Sequence, residues 1–260
     1  MSSEADRRPR PVALVTGASR RSGIGAAIAT RLAVAGWDVA TTYWTAYDTA
    51  DEWSRADADP GAVVKAIEAT GARACAIEVD LSAVDAPATV FDKVAEALGS
   101  VTTLVLNHCE CETLDLLSTT AAALDRHVAV NVTANLLLIQ EFARRFPADT
   151  PGAIVALTSD HTAGNVPYGV TKGALERLIT AAAVELAPLG VRANAVNPGG
   201  TDTGWMSDDI RHQTESNTPL GRVGTPDDAA RLVEFLCSDD GRWITGQLLH
   251  SNGGRRMTTP

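Results

Sequence analysis

Tyr168 and Lys172 are the two side chains whose types and spacing best suit acid–base chemistry. Positions four apart lie on one face of a helix, so a phenol and an ammonium can share one site there. A free phenol has a pKa of about 10, and a nearby cation favours the phenolate and lowers that value. The spacing therefore predicts that Tyr168 exchanges a proton with a carbonyl oxygen near neutral pH. A solvated pair on a surface helix would have the same spacing, so the surrounding elements must decide.

The elements around this pair alternate short β-branched runs with longer helical stretches. Strands are predicted at residues 12–16, 39–43, 74–79, 103–106, 153–158, 191–196 and 247–250. Helices are predicted at residues 24–35, 62–70, 86–98, 124–146, 168–187 and 229–236, with irregular stretches at 44–60 and 202–219. Such alternation predicts an α/β protein with a single-domain Rossmann fold, in which a doubly wound parallel sheet of about seven strands carries helices on both faces. Residues 1–10 are predicted to be a disordered arm, and residues 11–260 a single dinucleotide-binding and catalytic domain.

Composition narrows the range of partners. The chain has 260 residues, 45% of them hydrophobic, and a formal net charge of −10. That charge argues against non-specific binding of nucleic acid or anionic membranes. We expect a cytoplasmic protein, because no apolar run has the length of a signal or membrane-spanning segment. Cys109 and Cys111 follow His108, but no second Cys/His pair completes a metal site, and no metal is predicted.

A glycine-rich turn follows the first predicted strand and precedes a helix, where a dinucleotide pyrophosphate would rest on the helix N-terminus. The alternative is a tight strand-to-helix turn that binds no ligand. The candidate cofactor-binding residues of the glycine-rich turn are Gly17, Ser19, Gly23, Ile24 and Gly25. Further candidates at the ends of the next strands are Tyr43, Asp80, Leu81 and Asn107.

The phosphate preference is predicted from charge. An acidic residue at the end of the second strand would bind the 2′-hydroxyl of NAD, but residues 41–45 contain none. Arg20 and Arg21 lie in the glycine turn instead, and a guanidinium fork suits a 2′-phosphate. NADP(H) is therefore favoured over NAD(H), unless both arginines are simply solvated.

Together these motifs resemble the classical short-chain dehydrogenase/reductase family, over residues 12–254. The resemblance rests on the glycine turn, Asp80, Asn107, Asn131, Ser159, Tyr168-x3-Lys172, Asn197-Pro198-Gly199 and the motif near Gly253. Within the family, the chain is most similar to bacterial 3-oxoacyl-acyl-carrier-protein reductase-like members.

The resemblance implies roles for individual residues. Tyr168 would be the general acid or base, and Lys172 would lower its pKa and hold the nicotinamide ribose. Ser159 would bind the substrate carbonyl, and Asn131 would bend its helix and hold a relay water. Pro198, Gly199 and Thr203 would line the nicotinamide, and Thr201 would also bind the cofactor. The implied activity is an NADP(H)-dependent hydride transfer to or from a carbonyl or secondary alcohol, with 3-oxoacyl thioesters as one candidate substrate class. The implied assembly is a homo-oligomer (tetramer or dimer).

Three features depart from the family pattern. Five residues, not three, separate Gly17 from Gly23, and this bulge is expected to carry Arg20 and Arg21 outward towards a phosphate. His108 and Cys109 replace the usual Ala-Gly after Asn107, and are expected to crowd the cofactor or alter the backbone.

The third departure concerns the serine. Ser159 lies nine positions before Tyr168, where about thirteen is usual, so Thr158 is its fallback. These departures leave open a second hypothesis, a catalytically weak nucleotide-binding protein with a regulatory or partner role. Turnover in the presence of NADPH separates the two.

Overall fold

The structure, a computed structural model, describes residues 10–50, 52–161 and 163–255. The predicted N-terminal arm, apart from Arg10, lies outside the described residues. The Arg10 guanidinium donates 2.7 Å and 3.1 Å hydrogen bonds to the carbonyls of Ala33 and Gly36. Arg10 therefore fastens the start of the domain to the C-terminal end of its first helix.

Seven parallel strands form one sheet in the order β3-β2-β1-β4-β5-β6-β7. They are β1 (Val12–Val15), β2 (Asp38–Tyr43), β3 (Ala74–Glu78), β4 (Val101–Leu106), β5 (Gly152–Leu157), β6 (Val191–Asn197) and β7 (Leu248–His250). The strand order reverses between β1 and β4, and ligands of such sheets bind at the carboxyl ends of the strands beside this switch point. The predicted single-domain Rossmann fold is confirmed.

Helices cover both faces of the sheet. They are α1 (Ile24–Val34), α2 (Thr45–Asp48), α3 (Glu52–Asp57), α4 (Pro60–Glu68), α5 (Ala86–Ala97), α6 (Ala121–Val128), α7 (Ala134–Arg145), α8 (Val166–Glu185), α9 (Asp208–Ser216) and α10 (Pro226–Cys237). One core contains apolar residues of α5, α7 and α8, such as Phe91, Phe142 and Leu175. The other contains residues of α1, α4 and α10, such as Ile28, Ile67 and Leu236.

The irregular stretches predicted at 44–60 and 202–219 were wrong in part, because they contain α2, α3 and α9. The helix α9 carries almost no apolar stripe, so its sequence lacks the periodicity that indicates an amphipathic helix. Its start is fixed instead by Ser207, whose hydroxyl accepts a hydrogen bond from the Ile210 amide at 3.4 Å. Asp208 and Asp209 in the first turn favour the same start through the helix dipole.

The helix predicted at residues 124–146 is interrupted. It consists of α6, a π-helical turn at Ala129–Thr133, and α7. At this turn, the N–H of Ala134 bonds to the carbonyl of Ala129, five residues back. Such π turns are frequently found at functional sites. In the described part of the chain, no helix is long and apolar enough to cross a membrane.

Candidate active site

The turn between β1 and α1 leaves space for a ligand to approach the backbone. Gly17 has a left-handed backbone with a φ of 68°, which a side chain would strain. A Cβ on Gly25 would lie 2.7 Å from the Gly17 carbonyl oxygen, so no side chain fits there. The helix α1 begins after Gly23 without a side-chain cap, and its first N–H groups therefore suit an anion. These residues fit a dinucleotide pyrophosphate.

The two extra residues of this turn, Arg20 and Arg21, pair with the segment between α3 and α4. Arg20 forms an antiparallel bridge with Ala58. The Arg21 amide donates to the Asp57 carbonyl at 3.3 Å, and its Nε lies 3.5 Å from the Asp57 carboxylate. The Arg20 Nη1 instead donates to the Thr203 carbonyl at 3.3 Å. Arg21 is exposed, as the expected outward position requires, whereas Arg20 is partly buried and its guanidinium is directed to the Thr203 carbonyl.

The segment after β6 closes over the glycine turn. The Thr203 carbonyl accepts a second hydrogen bond, at 3.2 Å, from the Ser22 hydroxyl. The Trp205 indole donates to the Thr201 carbonyl at 3.2 Å and fixes the start of this segment. Gly199 has a φ of 64°, and a Cβ there would collide with Asn252. The segment from Pro198 to Thr203 therefore faces the glycine turn, and its predicted nicotinamide contacts stay predictions.

Asp48 is a carboxylate that sequence reasoning missed in the adenosine region. It is buried, it hydrogen-bonds to Ser19, and it interacts electrostatically with Arg20. Burial raises its pKa, against the lowering effects of Ser19, Arg20 and the Trp44 backbone. It follows β2 by five residues, so a search of the strand end alone could not find it. The helix α2 is the element that folds it back onto the glycine turn.

The other predicted cofactor residues lie at the carboxyl ends of β2, β3 and β4. Tyr43 ends β2, while Asp80 and the buried Leu81 follow β3. The Asp80 carboxylate accepts the Ser82 amide at 2.9 Å. Asn107 follows β4, and its Nδ2 donates to the carbonyls of Thr16 at 3.0 Å and Gly17 at 2.7 Å. Asn107 thus uses its amide protons to fix the glycine turn.

Asn131 lies in the π turn and joins three segments. It is fully buried, and its Oδ1 accepts the Glu110 amide at 2.7 Å. Its Nδ2 donates to the Glu110 carbonyl at 2.9 Å and to the Thr171 hydroxyl at 3.0 Å. Thr171 immediately precedes Lys172 on α8, so Asn131 fixes that helix to the segment after β4. Sequence reasoning missed this role of Thr171, although its place within the Tyr-x3-Lys motif was the available signal.

Lys172 and Tyr168 are brought together on α8 as predicted from their spacing. The Lys172 Nζ lies 5.5 Å from the centre of the Tyr168 ring. It is only 2% exposed and donates to the Leu157 carbonyl at 2.7 Å. Burial lowers the pKa of Lys172, and the nearby Cys109 and Cys111 oppose that shift.

The pKa of Tyr168 differs from the expectation. Proximity to Lys172 was expected to lower it, whereas in this structure burial raises it well above 10. Cys109, Cys111 and Tyr47 add to the rise, and a hydrogen bond with Ser159 opposes it. The expectation was wrong for this state because desolvation of the phenolate is the largest effect. Tyr168 therefore carries its proton at neutral pH.

The short loop after β5 still brings Ser159 to Tyr168, since the two side chains are hydrogen-bonded. The Ser159 hydroxyl also accepts the His161 amide at 3.1 Å. Thr158, the fallback, is buried and lies within 2.8 Å of the Glu176 carboxylate. The geometry therefore favours Ser159 over Thr158 as the hydroxyl beside Tyr168.

Of the two effects expected of the residues after Asn107, crowding of the cofactor does not apply to the His108 side chain. It turns inward, where it is 8% exposed. Its Nδ1 lies 2.7 Å from the Thr16 hydroxyl and its Nε2 lies 3.1 Å from the Val130 carbonyl. Burial lowers the pKa of His108 to about 3, and the charge of Lys172 acts in the same direction.

This buried imidazole predicts a specific pH dependence of stability. Its pKa is about 3 when folded and 6.5 ordinarily. Between these values the unfolded chain binds a proton that the folded chain does not, so stability falls as the pH decreases, by up to about 1.4 kcal/mol per pH unit. Urea unfolding between about pH 7 and 4.5 should show a shallower slope for His108→Asn than for the wild type or for His161→Asn, which alters an exposed histidine. Equal slopes in all three proteins would contradict this assignment.

The two cysteines in the corner after β4, which comprises residues 107–111, are free. Cys109 is half-buried and Cys111 is exposed. The Asn165 side chain donates to the Cys111 sulfur at 3.4 Å. Among the residues that the structure describes, no group of three or more His, Cys, Asp or Glu side chains could hold a metal ion.

The comparisons with known proteins agree with this geometry. A sequence model of the family described as enoyl-(acyl carrier protein) reductase, a branch of the short-chain dehydrogenases, matches residues 17–256. The chain belongs to the short-chain dehydrogenase/reductase family. It is 42% identical over 251 residues to an uncharacterized oxidoreductase, YjdA, of Bacillus subtilis, covering 94% of this chain and 96% of the relative.

Two further relatives carry chemical information. A 3-oxoacyl-[acyl-carrier-protein] reductase, FabG, of Staphylococcus epidermidis is 36% identical, with 94% of this chain and 98% of that protein covered. A short-chain dehydrogenase of Burkholderia cenocepacia, solved in complex with NADP, is 37% identical. It superposes with a TM-score of 0.82 over 95% of this chain and 97% of that one. This chain is thus an oxidoreductase of a family that binds nicotinamide cofactors.

Proposed function

We propose that this short-chain dehydrogenase/reductase transfers a hydride between NADP(H) and a carbonyl or secondary alcohol, with Tyr168 as general acid and base. The observation that carries the proposal is the convergence of Ser159 and Lys172 on Tyr168 at the carboxyl end of β5. The similarity to a 3-oxoacyl-[acyl-carrier-protein] reductase makes 3-oxoacyl thioesters the first substrate class to test.

Each residue of the site has a distinct task in this mechanism. The bound nicotinamide supplies or accepts the hydride. Tyr168 keeps its proton at neutral pH and donates it to the carbonyl oxygen as negative charge develops there. Ser159 orients the same oxygen through its hydroxyl. Lys172 stabilises the phenolate that remains, because an ammonium beside a phenolate favours its charged form. Asn131 holds α8 in register through Thr171.

The preference for NADP(H) is part of the proposal, and the charged residues around the glycine turn would decide it. Arg21 lies in the glycine turn, where its guanidinium would meet a 2′-phosphate, but its Nε lies 3.5 Å from the Asp57 carboxylate. Asp48 adds a second carboxylate to this region. Two arginines facing two carboxylates give a weaker attraction for phosphate than the arginines alone. The NADP complex of the Burkholderia relative supports the proposal.

We therefore expect opposite effects from two substitutions at this contact. Arg21→Ala should weaken NADPH binding by about 10- to 100-fold, since a charge-assisted hydrogen bond contributes about 1.5 to 3 kcal/mol, and leave NADH binding nearly unchanged. Asp57→Asn should tighten NADPH binding, because it releases Arg21 while its amide oxygen can still accept the Ser22 amide. Dissociation constants from cofactor fluorescence measure both effects. A loss of NADH affinity as large as that of NADPH would show that Arg21 has a structural role instead.

The proposed function is tested by turnover. Purified protein is mixed with NADPH or NADH, and cofactor oxidation is followed with a panel of ketones and 3-oxoacyl thioesters, with the alcohols and NADP+ in the reverse direction. Oxidation of NADPH by a member of the panel is the expected result. Tight NADPH binding without turnover on any substrate would favour the second hypothesis, a nucleotide-binding regulatory or partner protein.

We also propose that the protein works as a homo-oligomer in the cytoplasm. Free cysteines are typical of reducing compartments. Trp243 is 97% exposed and Val184 on α8 is 72% exposed, and apolar side chains of this size are common at subunit interfaces. Light scattering coupled to gel filtration distinguishes a tetramer or a dimer from a monomer.

A further inference from the structure

The His108 imidazole connects the glycine turn to the π turn that carries Asn131. One side of the ring meets the hydroxyl of Thr16, the last residue before the glycine turn, at 2.7 Å. The other side meets the carbonyl of Val130, the residue before Asn131, at 3.1 Å. Thr16 is fully buried and His108 nearly so. These contacts therefore form without competition from bulk water.

The partners determine which ring nitrogen carries the proton. The Val130 carbonyl can only accept, so the Nε2 of His108 must donate. In a neutral ring, Nδ1 is then an acceptor, and the Thr16 hydroxyl donates to it. Thr16 has a second acceptor within reach, the Val105 carbonyl at 3.2 Å. Loss of the Nδ1 contact is therefore the milder loss, because the Thr16 hydroxyl can turn to Val105.

The Nε2 contact has a structural reason. In an α-helix, the N–H of Ala134 would bond to the Val130 carbonyl, but in the π turn it bonds to Ala129. His108 supplies a donor to the carbonyl that this shift releases. Similarly, the Asn135 side chain donates to the carbonyl of Asn131 at 2.7 Å. Two side chains thus stabilise the turn that aims the Asn131 amide at Glu110 and Thr171.

We propose that His108 is a positioning residue, which stabilises the π turn through its hydrogen bond to the Val130 carbonyl. The π turn in turn fixes Asn131. Through Thr171, Asn131 keeps the helix that carries Tyr168 and Lys172 in the geometry for proton transfer. This inference rests on the proposed function, because it concerns the efficiency of the same reaction. It gives a task to the residue that replaces the family's usual small side chain at this corner.

Two isosteric substitutions separate the two sides of the ring. Asn places its amide where Nδ1 lies, so His108→Asn keeps a partner for Thr16 and loses the donor to Val130. Gln places its amide where Nε2 lies, so His108→Gln keeps the donor to Val130 and loses the partner of Thr16. We expect His108→Asn to lower kcat by about 10- to 100-fold, the usual cost of a misplacement near 1 Å, with the Kd for NADPH within about three-fold. His108→Gln should recover most of that kcat.

The outcomes that would overturn the inference are equally specific. Equal kcat losses in both variants, or a change confined to KM or Kd, would show that His108 only fills space beside the glycine turn and does not position Asn131. Circular dichroism and Tm confirm that each variant is folded.

A measurement on the wild-type protein keeps the test independent of turnover and of folding of the variants. The chain has five histidines, so 15N NMR can assign their rings. We expect His108 as the neutral Nε2–H tautomer down to about pH 5, and its Nε2–H proton should exchange slowly. A ring that titrates near 6.5, or an Nδ1–H tautomer, would refute the contact to Val130. If the wild type shows no turnover, the proposed function fails, but the positioning role of His108 can still be tested. The NMR resonances of the Asn131 side-chain amide should shift in His108→Asn and stay in place in His108→Gln.

Discussion

Tyr168→Phe is expected to reduce turnover by about 10³-fold and to leave the Kd for NADPH within about two-fold, since general acid catalysis typically contributes 10² to 10⁴. The substitution removes only the hydroxyl, so the ring that packs beside the Lys172 ammonium remains. Because burial keeps the Tyr168 proton in place at neutral pH, no other group described in the site is as well placed to donate to the carbonyl oxygen. The measurement is kcat at saturating NADPH with the best substrate of the panel.

Tyr43→Phe is the matched control for this experiment. Tyr43 lies at the end of β2 and is a predicted cofactor-binding residue, so the loss of its hydroxyl should act on the Kd for NADPH and change kcat at saturating NADPH by less than about two-fold. Near-normal turnover in Tyr168→Phe would make the assigned acid wrong. A large and equal loss in both variants would indicate a general disturbance of the cleft.

Gly17→Ala is expected to lower the Tm by roughly 6 to 10 °C and to abolish tight cofactor binding. A left-handed backbone costs an L-residue about 1 to 2 kcal/mol. The new Cβ would in addition lie 2.7 Å from the Cα of His108, a backbone atom that can move little. For a chain of this size, each kcal/mol corresponds to about 2 to 4 °C in Tm. The displaced turn would also misalign the N–H groups that a pyrophosphate requires.

Gly221→Ala separates the two costs. Gly221 has a φ of 69°, close to the 68° of Gly17, but a Cβ there meets nothing within 4 Å. Its Tm should fall by about 2 to 8 °C, the cost of the backbone conformation alone, which is less than the fall in Gly17→Ala, with cofactor binding intact. Differential scanning calorimetry measures both variants. If the Tm fell by the same amount in both variants, the close approach of the new Cβ to His108 would have no effect on stability.

Much of the fold could be predicted from the sequence because its strands are short apolar runs between clear helical stretches. The predicted strands all appear within two residues of their observed bounds. Periodicity is informative where apolar residues are confined to one buried face of a helix, as in α5 and α10. It fails for α9, which is polar on nearly all sides, and for the single turn of α2. The apolar pattern also did not reveal the π turn, because one inserted residue barely alters it; only the family resemblance, which implied a bend at Asn131, pointed to this place.

The candidate site was predicted where a motif lies within one element, and not where the fold joins distant segments. Tyr168 and Lys172 meet because they share a helix. The divergence of Arg20 and Arg21 depends on Asp57 and Thr203, which come from remote parts of the chain. The rise in the pKa of Tyr168 also had to come from the structure, since burial is a tertiary property. The argument from the charge of Lys172 alone predicted a lowered pKa for Tyr168, because it omitted the desolvation of the phenolate.

The inward position of His108 constrains how this protein can diverge from its relatives. Replacing His108 by the alanine common in the family would leave the Val130 carbonyl without its donor, and an unsatisfied buried polar group costs about 1 to 3 kcal/mol. A second change that supplied the Val130 carbonyl with another donor would remove that cost, so substitutions at His108 and in the π turn should be strongly epistatic.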